Sequence, residues 1–361
     1  FKEASKWKKK GKRWFEQEID YQIDGDGAYI QNSMNYHRVV IQLLSLGIAL
    51  ADKNDEKFCD EVYRKAYKSV NFLYQFQNLK NGFMPNYGAN DGALFFQFND
   101  CSYVDYKPQL DALHILLTGR KLYGEVYEDS NWLCATPKRS MFKPITQQLG
   151  QISFNESGYH LIRDGESLTF LRAGSFKGRF AQADQLHIDI WYGSENILFD
   201  GGSYMYNTDS NTIKYFSGTE SHNTVMLDSY DQMLKGPRFI WFYVPRILET
   251  KIKETEDEYI LIASIVCFKH LKKGIIHKRV VRKQKGYEHW IVEDFITGKP
   301  SHIKLRQIWH TKNSNVEFIS NKGEKIEKTA YQSLYYGIIE ECKQIEFITN
   351  DSAIQTHIFI K

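Results

Sequence analysis

The sequence predicts an α+β protein of two parts, a helical unit followed by an antiparallel β-domain, and three observations carry that prediction. Apolar residues up to about residue 127 recur at helical spacing. Beyond Gln151 the pattern becomes alternation in runs of about five to ten residues, the period of strands. Between them, the segment Ala135 to Gly150 contains Pro137 and Pro144 and reads as a linker. A block of helices followed by a run of strands argues for two packed domains and against a doubly wound sheet. The expected bounds are 1–135 for the helical part, 136–150 for the linker and 151–361 for the β-domain.

In the helical part, Val39, Leu43, Leu46 and Leu50 form one apolar stripe, and Phe58, Val62, Ala66, Val70 and Leu73 form a second. Leu110, Leu113, Leu116 and Leu117 mark a further helix that Pro108 opens. Helices are expected to end before about residue 150. The expected strands are Tyr159 to Arg163, Leu168 to Arg172, Gln185 to Tyr192, Tyr259 to Phe268, Tyr287 to Phe295 and Lys304 to His310.

Composition narrows the function classes. A hydrophobic content of 42% over 361 residues is ample for sizeable cores and excludes disorder. A net charge of +3 is too small to imply a nucleic-acid partner, although it permits a local basic groove for an acidic polymer. The 23 Tyr, 23 Phe and 7 Trp suit large cores and also stacking on sugars. Cys59, Cys101, Cys134, Cys267 and Cys342 are odd in number, widely spaced and without a CxxC, so they read as thiols rather than a disulfide framework or zinc knuckle. No apolar run reaches the length of a membrane span, and the charged, tryptophan-containing start is no signal peptide. The chain opens in what reads as the middle of a helical domain, and an N-terminal part of the natural protein is expected to be absent.

The densest chemistry lies between Gln182 and Val225. Leu186, Ile188 and Ile190 alternate with His187, Asp189 and Trp191, a second apolar run ends at Asp200-Gly201-Gly202, and Ser221-His222-Asn223 opens a third strand. Gln182, Asp184, His187, Asp200 and His222 thus stand at strand ends that can converge. Alternation puts His187 on the face opposite Gln182 and Asp184.

These motifs resemble the heparinase II/III-like family of polysaccharide lyases. DGDGAYIQNSMNYHRVVIQLL (Asp24 to Leu44) is similar to its helical segment of substrate-carboxylate binders, and MPNYGANDGA (Met84 to Ala93) to its catalytic-tyrosine loop. DQMLKGPRFIW (Asp231 to Trp241) and HKRVVRKQKGYEHWIVEDFITG (His277 to Gly298) are similar to its later strands. The resemblance covers roughly residues 10 to 300. It implies an incomplete (α/α) toroid, truncated at its start, followed by a β-sandwich. It also implies a bacterial enzyme of the periplasm or secreted, the cytoplasm remaining an alternative, that cleaves a uronate-containing acidic polysaccharide by β-elimination.

Such a reaction needs a donor that stabilises the enolate-like carboxylate, a base for the C5 proton and an acid for the leaving oxygen. The resemblance places Asn35 and His37 in the first role and Tyr87 as acid, with a possible second role as base. From the residues alone, Asn35 reads equally as a helix cap, His37 as a satisfied buried imidazole and Tyr87 as a loop aromatic. Tyr204 and Tyr206 are further phenols, Tyr206 being a substrate-binding candidate together with Arg238, for which a surface salt bridge is the plainer reading.

The chain departs from the family pattern in having Phe180, where a histidine is common, ahead of Gln182 and Asp184. The base is then His187 or Tyr87, or the protein binds or assembles glycan without cleaving it. A glycoside hydrolase would need two carboxylates facing across a cleft, and the sequence singles out no pair among Asp24, Asp26 and Asp91. One structural zinc is implied at Gln182, Asp200 and His222, with no other cofactor; an amide is a poor zinc ligand, and without metal Asp200 and His222 form a charge-assisted hydrogen bond.

Overall fold

Local signals start and stop the helices. In the first unit these are α1 (Ala4–Gln22), α2 (Met34–Lys53), α3 (Asp60–Phe76), α4 (Lys107–Thr118) and α5 (Glu128–Leu133). Ser33 caps α2 by accepting from the Tyr36 N–H at 3.1 Å, and Asp60 and Glu61 lie in the first turn of α3, where the helix dipole favours them. Pro108 opens α4, and Gly119 at φ 70° closes it with its N–H on the Ile115 carbonyl.

The computed structural model describes residues 1–134, 142–175 and 180–361. The chain divides into two compact units, one of Phe1–Met84 with Gly92–Gln147, the other of Pro85–Asp91 with Gln148–Lys361. Part of the expected linker, 136–141, lies outside the described residues. The loop carrying Tyr87 corrects the sequence expectation: it belongs to the second unit, not to the helical one. Asn86 Nδ2 donates to the Ser333 carbonyl at 2.8 Å, and Asn90 N and O both bond the Ser203 hydroxyl, so the backbone of 85–91 is pinned to the β-rich part.

The core of the first unit is built from Ile41, Leu44 and Ile48 of α2, Ala66, Val70 and Leu73 of α3, and Leu110 and Leu113 of α4, all buried. The α3 and α4 stripes match expectation, whereas α2 turns a different face inward. Val39, Leu43 and Leu46 sit at its flank and Leu50 is 51% exposed. This helix is apolar around much of its circumference, so periodicity alone does not select the buried side.

Among the described residues the second unit contains seventeen strands: β1 (Gly150–Phe154), β2 (Tyr159–Asp164), β3 (Ser167–Arg172), β4 (Ile188–Tyr192), β5 (Glu195–Leu198), β6 (Val225–Leu227), β7 (Leu234–Lys235), β8 (Trp241–Phe242), β9 (Arg246–Glu254), β10 (Glu258–Val266), β11 (Ile276–Gln284), β12 (His289–Thr297), β13 (Leu305–Thr311), β14 (Val316–Ser320), β15 (Glu324–Gln332), β16 (Glu340–Thr349) and β17 (Ala353–Ile360). They form an antiparallel sheet β1-β2-β3-β4-β5, a six-stranded sheet β14-β17-β12-β11-β10-β9, a four-stranded sheet β15-β16-β13-β6, and the hairpin β7-β8. One hydrophobic cluster joins the three larger sheets, with Leu171, Ile188 and Ile190 from the first, Val281, Trp290 and Val292 from the second, and Leu305, Trp309 and Ile345 from the third.

Two departures from the expected strands matter. A short helix, α6 (Ser210–Ser217), follows the Asp200 turn, and Asp209 caps it by accepting from Asn211 N and Thr212 N at 3.0 Å. The strand expected from Gln185 begins only at Ile188, because Leu186 takes a left-handed φ of 60°. His187 N turns back to Asp184 O at 3.0 Å, while Arg172 pairs with both residues of the bulge, accepting from Leu186 N at 2.8 Å and donating to His187 O at 3.0 Å.

A buried ion pair holds that bend. Arg279 and Asp294 are direct cross-strand partners of β11 and β12, both fully buried. Arg279 forks onto Asp294 at 2.8 and 2.7 Å, while its Nη1 donates to the Leu186 carbonyl at 2.7 Å and the Asn223 carbonyl at 2.6 Å. His277 Nε2 and Gln307 Nε2 complete the shell of Asp294 at 2.6 and 2.7 Å. Burial alone would raise the Asp294 carboxyl, but Arg279 and His277 outweigh it and hold the group well below the usual carboxylate range.

Asp294→Ala strands a buried guanidinium and is expected to cost about 3–5 kcal/mol in denaturant unfolding. Because the folded carboxyl titrates below its unfolded value of about 3.9, the wild-type contribution is fully present above that pH and fades as pH falls toward the folded value. Asp294→Asn should flatten this acid limb of the stability curve. A midpoint shift below about 1 kcal/mol for Asp294→Ala would show that the pair is not a strut.

Candidate functional site

Asn35 and His37 lie on the first turn of α2, and the regularity of that turn decides where they go. The helix is regular from Met34, so two residues apart means about 200° around the axis, and the two side chains cannot share a face. Asn35 Oδ1 accepts from Arg38 Nη2 at 3.0 Å and from the Tyr103 hydroxyl, leaving its Nδ2 buried with no hydrogen-bond partner. His37 points instead to Ser69 Oγ on α3 and packs at 5.4 Å from the Phe72 ring. Burial pushes its pKa down to about 3, so it is a neutral, satisfied core histidine, and the sequence pairing of Asn35 with His37 is corrected.

Arg38, which the sequence reading did not single out, is the residue beside Asn35. Its guanidinium stacks on Tyr103 at 4.2 Å and Tyr106 at 4.3 Å, and its Nε is buried without a partner. An amide N–H and a guanidinium N–H left open side by side are suited to a carboxylate. The signal was one cation in the apolar run NYHRVVIQLL.

In the second unit the bend at Leu186 gathers the remaining candidates. Tyr87 is 2% exposed, and its hydroxyl accepts from Arg172 Nε at 3.0 Å and lies within hydrogen-bonding reach of the Asp184 carboxyl. Arg172 ends β3, an apolar strand in which one charged residue is conspicuous, and its Nη1 is anchored on the Ser157 and Gly158 carbonyls at 2.6 and 2.9 Å. Burial raises the Tyr87 phenol well above its ordinary value and Asp184 adds to this, against the opposing pull of Arg172. Burial likewise raises Asp184.

The His187 ring lies 6.4 Å from Tyr87 and 5.7 Å from His222, on the same side as Asp184. Strict alternation predicts the opposite face, and the left-handed Leu186 is the reason it fails. Its Nδ1 accepts the Asn223 backbone N–H at 3.0 Å, which consumes the lone pair and leaves Nε2 carrying the proton. Burial pushes the ring well below its ordinary pKa. His187 is therefore an N–H donor in this arrangement, and its candidacy as base is corrected.

Asp200 Oδ2 and His222 Nε2 stand 3.3 Å apart, both fully buried. Asp200 Oδ1 accepts from Gly202 N at 2.7 Å, and His222 Nδ1 faces the Gly218 carbonyl at 2.8 Å. Burial disfavours the imidazolium, yet Asp200 and Asp184 raise the His222 pKa to about 9. Gln182 Nε2 donates to the Gly202 carbonyl at 2.9 Å and to the Phe216 carbonyl at 3.3 Å, so all three residues meet at the Asp200 turn. Gln182 Oε1, Asp184 Oδ1 and His187 Nε2 are buried without a hydrogen-bond partner, and Asp200 Oδ2 and His222 Nε2 meet only each other. Native interiors hold only a few such atoms per hundred residues, so three beside a buried ion pair make this neighbourhood the candidate site.

Three of those atoms bear on a metal. A spacing of 3.3 Å equals that of neighbouring ligands about 2.0–2.1 Å from a tetrahedral zinc, and the carboxylate oxygen and imidazole nitrogen suit it. The third donor is an amide oxygen, and among the described residues no group of three or more His, Cys, Asp and Glu can hold a metal ion. Phe180, at the usual histidine position, packs with Ala183, Met233 and Trp241.

Tyr206 and Arg238 belong to a different patch. The Tyr206 ring meets Phe239 edge-on at 5.8 Å and Tyr336 at 6.2 Å. Arg238, exposed at φ 53°, makes no ion pair among the described residues, contrary to the salt bridge that the sequence allowed. A cation beside half-exposed rings is an arrangement suited to an anionic sugar.

The chain matches the heparinase II/III N-terminal family over residues 1–99 and the heparinase II/III-like C-terminal family over residues 146–352. It is 24% identical over 245 residues to a heparin-sulfate lyase of Bacteroides stercoris and 23% identical over 253 residues to one of Bacteroides thetaiotaomicron. Each of those alignments covers 63% of this chain, which spans about a third of either relative, 33% and 34%. Among solved structures, heparinase III, the BT4657 gene product, superposes with TM-score 0.71 at 17% identity, over 99% of this chain and 56% of that one. A mutant of the heparan sulfate lyase HepC from Pedobacter heparinus gives 0.72 at 15% identity, over 99% and 57%. The fold, with its helical part and antiparallel sheets, is that of heparinase III, and the chain belongs to the heparinase II/III-like family.

Proposed function

We propose that this chain carries the reaction centre of a polysaccharide lyase that cleaves a uronate-containing acidic polysaccharide, of the heparan type named for its relatives, by β-elimination. The observation that carries the reading is the Tyr87 hydroxyl held between Arg172 Nε and the Asp184 carboxyl in the family's C-terminal part. Tyr87 Oη takes the C5 proton of the uronate as its own proton passes to Asp184. The C5 electron pair forms the C4–C5 double bond and the C4–O bond breaks. The leaving oxygen then takes the proton from Tyr87, and Asp184 returns its proton to the phenol. Arg172 offsets the charge on Oη during the transfer. Within the first unit, Asn35 Nδ2 and Arg38 are a donor set for a uronate carboxylate, and within the second unit Tyr206 and Arg238 bind sugar outside the reacting residue.

Several finer features belong to the same proposal. The paired helices are part of an (α/α) toroid and the sheets sharing one core form a β-sandwich, with the division near 136–150. Zinc, when bound, would be held by Asp200, His222 and Gln182 Oε1 and would tie the Asp200 turn to the strand of His222 structurally. The protein works in the periplasm or outside a bacterial cell; among the described residues no helix is long and apolar enough to cross a membrane. The buried Tyr87 and the phenylalanine at position 180 favour one second reading, a glycan-binding protein without cleavage.

Incubation with heparan-type and other uronate polymers should produce the absorbance of an unsaturated uronate. Products without that double bond, or none from any polymer, would sink the lyase reading. Tyr87→Phe should lower turnover by about 10³-fold or more with folding and glycan affinity kept, and Asn35→Ala by about 10²–10³-fold, chiefly in kcat. Wild-type-like turnover by Tyr87→Phe removes the phenol from the mechanism. For the metal, Gln182→His should bind Zn²⁺ more tightly than wild type and gain more in Tm on its addition, because imidazole replaces an amide. Zinc retention by neither protein would leave Asp200 and His222 as a bare ion pair.

A further inference from the structure

Helix α1 breaks two local rules within its first ten residues. Residues 1–13 hold seven of the chain's 47 Lys and Arg and one of its 44 Asp and Glu, leaving the rest of the chain net negative. Six of those cations lie within the first ten residues of α1. Lys6 with Lys10, Lys8 with Lys12, and Lys9 with Arg13 are like charges four residues apart, which repel. Gly11 interrupts the helix interior although a Cβ there would meet nothing within 4 Å, so packing does not require glycine. Local rules broken together without a packing gain are the mark of function.

The geometry of the face indicates what it fits. Lys8 pairs with Glu56 and Lys12 reaches the Lys57 carbonyl, so these two are engaged with the loop before α3. Lys6, Lys9, Lys10 and Arg13 fall within an arc of about 100° on the outer side and make no ion pair among the described residues. Trp7 and Trp14 border that arc, 57% and 51% exposed, and Lys10 lies 4.4 Å over the Trp14 ring. The two indoles are about 10 Å apart along the axis with Gly11 between them, a shallow gap open to a ring lying on the backbone.

We infer that this face of α1 is a docking strip for a linear acidic polysaccharide, distinct from the Tyr87 centre, with the indoles stacking on sugar and the cations pairing with carboxylate or sulfate. The inference rests on the proposed substrate class. Charge complementarity selects a polyanion, and the polyanion relieves the lysine repulsion. A lipid surface is disfavoured because the apolar side of α1 is already used. Phe15 stacks on Phe58 at 4.7 Å, Ile19 is buried, and the two exposed indoles form no continuous apolar face.

The test measures binding of a labelled heparin chain to the full chain across a salt series, with a single-stranded DNA of equal charge and anionic phosphatidylglycerol vesicles as parallel probes. The triple variant Lys6→Gln/Lys10→Gln/Arg13→Gln should weaken heparin binding by about tenfold or more and make the slope of log K against log salt shallower by about two. Trp7→Ala/Trp14→Ala should weaken binding with the slope unchanged, and Lys8→Gln should leave both unchanged. These residues are on the surface, and circular dichroism should show the fold intact. Unaltered heparin affinity in the triple variant overturns the inference, as does tighter binding of DNA or vesicles that the same variants abolish. Turnover of the shortest cleavable oligosaccharide should match wild type in the triple variant. If wild type eliminates nothing, the lyase reading fails while the binding result stands.

Discussion

The buried pair of Arg279 and Asp294 is the constraint on which the rest of the second unit depends. A guanidinium and a carboxylate without water are tolerated only when each is fully bonded, and here they face each other across β11 and β12. Asp294 uses the fork of Arg279, leaving Nη1 free to grip the Leu186 and Asn223 carbonyls. That grip supports a left-handed leucine where a strand would otherwise continue, and the bend turns His187 toward Asp184 and His222. The demand to satisfy a charge deep in one sheet therefore sets the direction of a side chain in another.

A second pairing rule governs the gathered residues themselves. Arg172 neighbours Asp184 and Tyr87, and His222 neighbours Asp200, so each buried charge has a counter-charge close by. The pairing is incomplete in a telling way. Oxygen atoms on Asp184 and Gln182 and the His187 Nε2 stay unbonded, and unbonded polar atoms in a low-dielectric interior interact strongly with whatever group reaches them. Tyr87 enters this neighbourhood because Asn86 and Asn90 bind its loop to Ser333 and Ser203. Tyr87 resists ionisation there, so its phenol can lose a proton only as another arrives, which the adjacent Asp184 allows.

The comparison with relatives shows what persists at low identity. At 15–17% identity to the solved lyases the fold is kept throughout, and in this chain Phe180, ahead of the Gln182 motif, packs with Ala183, Met233 and Trp241. The α1 face shows the converse, with Lys6, Lys9, Lys10 and Arg13 making no ion pair among the described residues, as exposed charges can while interior ones are paired.

Much was legible in the sequence where the signal is local. The change of hydrophobic period marked the passage from helices to strands; Pro108 and Gly119 bounded α4; and the Asp200 turn and His222 were correctly brought together because a short connection limits how far apart they can lie. Local signals failed where a distant residue decides. Leu186 looks like any leucine of an alternating strand, and only Arg279, far along the chain, reveals that its carbonyl is held out of register. His37 looked like a site histidine until α3 supplied Ser69, and the Tyr87 loop, embedded in helical sequence, belongs to the β-rich unit through bonds to residues that follow it by more than a hundred positions. Periodicity and turn chemistry by themselves determined the elements, since these are properties of neighbours in sequence, while the family was legible only as a resemblance of motifs in order. Which side chains meet, and in which protonation state, was decided by tertiary structure alone, because desolvation and pairing are properties of neighbours in space.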